Sequence, residues 1–136
     1  MCIDAANEIV EALRECQMSC AIVDEDSEYG MLLAKVIDDL GFAVSVFGDS
    51  QNFELEHEKR RFEVVIVSWS INPFSGTEVV EFLYSLGEPY PSLIVGCDGG
   101  GSASFRLALP LVGFLFKPFD VRHLMMVLKK VVEEKR

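Results

Sequence analysis

The sequence predicts a three-layer α/β fold, a parallel sheet with helices packed on both of its faces. Three observations lead there. Short apolar segments alternate with longer stretches of helical periodicity along almost the whole chain. The inner segments, residues 64–67 and 92–95, are apolar with almost no polar interruption, as strands covered on both sides must be. Gly41 and Gly87 stand where two of the helical stretches have to stop.

The elements follow in order. Residues 4–18 place Ala6, Ile9, Val10 and Leu13 at helical spacing behind Asp4 as a cap, which predicts an N-terminal helical extension over residues 1–19 ahead of the alternating unit, 20–136. Cys20–Val23 is a short strand that stops at Asp24, Glu25 and Asp26. Ser27–Leu40 carries Leu32, Leu33, Val36, Ile37 and Leu40 on one helical face. Phe42–Phe47 alternates and is rich in β-branched and aromatic residues, the pattern of a strand less buried than the others. Residues 50–61 are charged and weakly periodic, and read as a poor helix or a loop with one turn. Val64–Val67 is the third strand. Ser75 to Glu78 forms a capping box for a helix whose buried stripe is Val79, Val80, Leu83 and Leu86. Ser92–Val95 is the fourth strand, and Val112–Phe116 the fifth. Between them a glycine run, Gly99–Gly101, precedes a short apolar segment ending near Pro110. Asp120 caps a last helix with Val121, Leu124, Leu128 and Val131 inward, and Lys129, Lys130 and Lys135 near the end that favours cations.

Composition narrows the function. The chain of 136 residues is the size of one domain with a real core, and half of its residues are apolar. A formal charge of -10 repels nucleic acid and anionic lipid, so neither is expected as a partner. Cys2, Cys16, Cys20 and Cys97 have no metal spacing, and Cys16 and Cys20 read as small buried apolar residues. No stretch is long enough for a membrane span and no signal peptide is evident, which predicts a soluble, reduced, cytoplasmic domain.

Five strands in this alternation permit the flavodoxin-like order 2-1-3-4-5, with a crevice at the carboxyl ends of strands one and three. Those ends are Asp24-Glu25-Asp26 and Ser68. Together with Gly76, eight residues beyond Ser68, and the run Gly113 to Asp120 containing Lys117-Pro118, they resemble a response-regulator receiver domain over residues 20–136. In such domains two acidic residues and an aspartate hold Mg²⁺, the aspartate accepts a phosphoryl group from a histidine kinase, and a lysine and a Ser/Thr bind the phosphate. The resemblance puts Asp24 and Glu25 at the acidic pair, Lys117 at the lysine and Phe114 at an aromatic that rotates on phosphorylation. Ser68 stands at the acceptor position and Gly96 where the Ser/Thr is expected; Pro73 is one residue late in its loop.

These departures have chemical weight. Direct phosphoryl acceptance needs an ionised carboxylate, whereas a serine hydroxyl is protonated at neutral pH and needs an adjacent base. The pattern places neither His57 nor His123 as one. Mg²⁺ loses one of three anionic ligands, so Asp24 and Glu25 are expected to make a weak or lost site. An Asp24/Glu25–Lys117 ion pair then holds one conformation.

The expected function is a pseudo-receiver without catalysis that acts by protein–protein contact. Its partner is another protein or a second copy, met through the face of the family's fourth helix, fifth strand and fifth helix. Here that face comprises Phe105, Leu107, Leu109, Phe114 and Phe116. Trp69 and Phe74 suit either loop packing or a further partner patch. Two rival readings are a phosphorylatable receiver with an unusual acceptor, such as Asp98, and a flavodoxin-like binder of a small ligand. The Gly99–Gly101 run lacks the lysine and spacing of a phosphate cradle and reads as a loop.

Overall fold

The computed structural model describes residues 8, 9, 11, 17–68, 76–98, 111–117 and 119–135; of these, residues 76, 77, 97, 98, 111, 112, 116, 117 and 135 are described in backbone only. In chain order the elements are β1 (Ser19–Val23), α1 (Ser27–Asp39), β2 (Ala43–Phe47), α2 (Ser50–Lys59), β3 (Val64–Ser68), α3 (Gly76–Leu86), β4 (Ser92–Asp98), β5 (Leu111–Lys117) and α4 (Val121–Lys135). The strands form one parallel sheet in the order β2-β1-β3-β4-β5, as the sequence predicts. Four helices accompany the sheet among the described residues. The expected N-terminal helix lies almost wholly outside those residues, as do Ser75 of the capping box and the segment 99–110.

Strand geometry divides the core in two. Successive side chains of a strand point to opposite faces. Cys20, Ile22, Val64, Ile66, Ile94 and Leu115 therefore join Leu33 and Ile37 of α1 and Leu124, Leu128 and Val131 of α4 in one cluster. Ala21, Val23, Val65, Val67, Leu93 and Val95 join Phe53 of α2 and Val79 and Leu83 of α3 in the other. Removal of each such large side chain from water contributes about 1.5–3 kcal/mol, so both faces hold the sheet. Cys20 is a free thiol inside the first cluster, pushed up to about 12 by burial. No helix among the described residues is long and apolar enough to cross a membrane.

Helix ends are fixed locally. Asp26 caps α1 by accepting the Tyr29 N–H at 3.1 Å, and Gly41 follows its end at φ 100°. Asp120 begins α4, its carboxylate accepting the Arg122 N–H at 2.9 Å. Gly30 lets α1 lie close on β2, since a Cβ there would stand 3.2 Å from Val46 Cγ1.

Three expectations need correction. Residues 50–59 form a full helix, capped by Asp49, whose Oδ1 accepts the Asn52 N–H at 2.8 Å. Its buried stripe is Ser50, Phe53 and His57, which apolar periodicity alone does not register. Leu32 is not on the inner face of α1; it is 57% exposed, beside Met31 at 62%. Val121 likewise points outward from α4 at 45%, while Val127 and Val132 complete the buried stripe.

His57 is buried among aromatic rings, with centroids 5.2 Å from Phe53, 5.9 Å from Phe62 and 6.2 Å from Phe82. The Phe62 N–H donates to its Nδ1 at 3.1 Å, so that nitrogen carries no proton. Burial, reinforced by the Arg61 charge, lowers its pKa from 6.5 to about 4. The folded state therefore resists a proton that the unfolded chain accepts. This contribution is fully present above pH 6.5 and is lost as pH falls towards 4, amounting to about 3 kcal/mol over the interval. His57→Gln, which keeps an acceptor for the Phe62 N–H, is expected to flatten stability against pH across that window by nearly one proton. Chemical denaturation at a series of pH values measures this, and a slope equal to the parent's rejects the assignment.

Candidate functional site

The parallel pairing of β1 with β3 runs up to Val23 opposite Val67, so the next positions along the two strands are Asp24 and Ser68. Ser68 is in turn paired with Gly96 on β4, and Gly96 with Leu115 on β5. Lys117 lies at the end of β5, opposite Asp98. The topology thus brings Asp24, Ser68 and Gly96 to the crevice that opens where the strand order reverses.

Burial differs sharply within this group. Asp24 and Ser68 are each 3% exposed, whereas Glu25 and Asp26 face solvent. The loop after β1 is tied down locally. The Asp24 N–H donates to the Phe47 carbonyl at 2.9 Å, and Asp24 Oδ1 accepts the Asp26 N–H at 3.0 Å. Asp24 thus makes a turn that presents Asp26 as the cap of α1. Lys117 and Phe116 are described in backbone only, and Phe105, Leu107, Leu109, Pro73, Trp69 and Phe74 lie outside the described residues. Phe114 is half-buried and packs against the cluster that contains Val95 and Leu93.

At Gly96 the backbone leaves space. A Cβ there would meet the Val67 carbonyl at 3.7 Å, Ser68 Cα at 3.8 Å and the Leu115 carbonyl at 3.9 Å, all ordinary contacts. The glycine is not forced by packing, and what it removes is the chemistry of a side chain beside Ser68.

Two residues join the site that the sequence did not single out. Tyr29, in the first turn of α1, packs edge-to-face on Phe119 with centroids 5.8 Å apart. Its hydroxyl is pushed up to about 12 by burial and then by the charges of Asp24 and Asp26, which places it beside the acidic loop. Phe119 follows Lys117-Pro118 directly, so the ring pair links the loop after β1 with the loop after β5. Sequence carries only faint signals for this: Tyr29 is three residues after a cap, and Phe119 is next to a lysine–proline pair.

The donor set offers fewer anionic ligands than the magnesium centre that the resemblance implies. It offers one buried carboxylate with an oxygen engaged in a turn, one exposed carboxylate and a neutral hydroxyl. Among the described residues no three His, Cys, Asp or Glu side chains converge. Both histidines are engaged elsewhere. His57 lies in the aromatic cluster, and His123 Nε2–H donates to the Phe114 carbonyl at 2.8 Å.

Neither a family model nor a curated protein matches the sequence. Solved structures do. A CheY-like response-regulator receiver domain protein from Methanospirillum hungatei superposes with TM-score 0.74 at 16% identity, covering 85% of this chain and 94% of its own. FixJ-N superposes with TM-score 0.74 at 22% identity, over 85% of this chain and 94% of that one. The chemotaxis protein CheY4 of Vibrio cholerae gives TM-score 0.74 at 19% identity, with 85% and 99% covered. The chain has the flavodoxin-like fold of CheY-like response-regulator receiver domains.

Proposed function

We propose that this chain is a pseudo-receiver: a non-enzymatic, cytoplasmic module of two-component signalling that acts through protein contacts, without aspartyl phosphorylation. The receiver fold supports the signalling role. The observation that carries the finer reading is the buried Ser68–Gly96 pair at the crevice. A neutral hydroxyl replaces the carboxylate at the acceptor position, and a hydrogen replaces the hydroxyl at its register partner. Nucleophile and phosphate ligand are both absent from adjacent strands, while Asp24, Glu25 and Lys117 remain. One missing group is a weak argument; two adjacent ones agree. No cofactor is required by this reading, and the charge of -10 argues against nucleic acid or an anionic membrane as partner.

Incubation with a small phosphodonor and Mg²⁺, followed by intact mass, is expected to give no adduct. A stoichiometric adduct lost on hydroxylamine treatment overturns the proposal in favour of an unusual acceptor, and a small molecule that co-purifies at the crevice overturns it in favour of a ligand binder. The converse experiment rebuilds the site. Because a Cβ fits at position 96, Ser68→Asp combined with Gly96→Thr is expected to gain a hydroxylamine-sensitive phosphoryl group. If the double variant folds and still accepts none, Asp24, Glu25 and Lys117 do not form a receiver pocket.

The partner surface proposed on the β5–α4 side needs a better probe than Phe114, whose ring is shared with the core. On α4, Met126 is 64% exposed and Val121 45%. Met126→Glu is expected to weaken association about tenfold or more with stability unchanged. A pull-down affinity for a partner protein that does not change removes this face.

A further inference from the structure

The sheet has a second edge, at β2, and it carries its own apolar surface. Met31 and Leu32 stand side by side on α1, more than half exposed, although neighbouring Leu33 is buried. With Ala34, Val44 and Val46 they line an open groove of about 840 Å³ between α1 and the edge strand, rimmed by Lys35 and Asp38. Two adjacent large apolar side chains beside such a groove are an interaction surface in search of an occupant.

The rim charges indicate which occupant fits. The chain as a whole is strongly acidic, so a second copy is repelled wherever two surfaces of like charge meet. Here the rim offers one cation and one anion, Lys35 and Asp38, three residues apart along the same helix. A surface with that arrangement is complementary to itself about a twofold axis. When two α1 helices cross antiparallel, residue 35 of each faces residue 38 of the other, and both contacts have opposite sign. The same axis carries the Met31–Leu32 end of each helix towards the Val44 end of the other copy's groove. The apolar pair supplies affinity, and the charges fix the register.

We propose that the α1–β2 groove is a self-association site, in which a second copy of this chain docks antiparallel with Met31 and Leu32 in the facing groove and Lys35 against Asp38. The site lies at the opposite edge of the sheet from β5, so it stands whether or not the pseudo-receiver reading does.

Sedimentation velocity over a concentration series tests it. The expected result is a concentration-dependent dimer whose dissociation constant rises about tenfold or more in Leu32→Glu. Lys35→Asp and Asp38→Lys are each expected to weaken the dimer, and the double swap to restore it to within about a factor of two of the parent. Thermal melts matching the parent's confirm that the variants fold; should Leu32→Glu fail to do so, the charge-swap set decides alone. A monomer at every concentration, a dimer indifferent to Leu32, or a double swap no better than the single changes overturns the proposal. A monomer that instead binds a different protein through Leu32 gives the groove to that protein, and also overturns it.

Discussion

A strand covered on both faces has no room for charge until it ends. In this chain the constraint is felt by β1, β3 and β4, whose successive side chains are claimed alternately by the α1–α4 cluster and the α2–α3 cluster. Burial of an unpaired charge within either cluster costs several kcal/mol, more than one apolar neighbour returns. Polar chemistry is thereby driven to the carboxyl ends, where Asp24, Ser68 and the pair Asp98–Lys117 stand. The site is in this sense a by-product of the core. The parallel register that packs Val23 against Val67 also sets Asp24 beside Ser68.

The same constraint explains what was legible in the sequence. Strands buried on both sides announce themselves as apolar runs, and their order follows from the alternation with helices, so the sheet and the residues at its ends could be read in advance. Periodicity was less informative on the helices. It reports that α1 has an apolar face but not where that face stops, so it puts Leu32 inward although, of that stripe, only Leu33, Ile37 and Leu40 are buried. α2 reads as a poor helix or a loop because its inward stripe is carried by Ser50, Phe53 and His57, of which two are polar by name. His57 behaves as an aromatic ring with one satisfied acceptor, a role that depends on Phe62 and Phe82 arriving from elsewhere in the chain. The Tyr29–Phe119 contact joins residues some ninety positions apart, and no local pattern encodes it.

On the proposed reading, a serine in place of an acidic residue at position 68 also alters the electrostatics of the crevice. Three carboxylates held close together repel one another, and a cation or a proton relieves them. With Ser68 in place, the remaining acidic groups divide the labour. Asp24 is buried and braced by a backbone N–H, Asp26 serves a helix terminus, and Glu25 reaches solvent. On that reading the crevice has less to gain from a counter-ion than one with three carboxylates.

The ring pair of Tyr29 and Phe119 gives the crevice a mechanical property. The strands β1 and β5 are separated in the sheet by two others, so their following loops share no ladder of hydrogen bonds. The edge-to-face contact is a seam between them, worth about 0.5–1.5 kcal/mol beyond the area it buries. Displacement of Phe119 by a bound molecule forfeits that seam, while the Asp26 cap still holds the first turn of α1. The contact therefore ties the first turn of α1 to the residue that follows Lys117-Pro118, across two intervening strands.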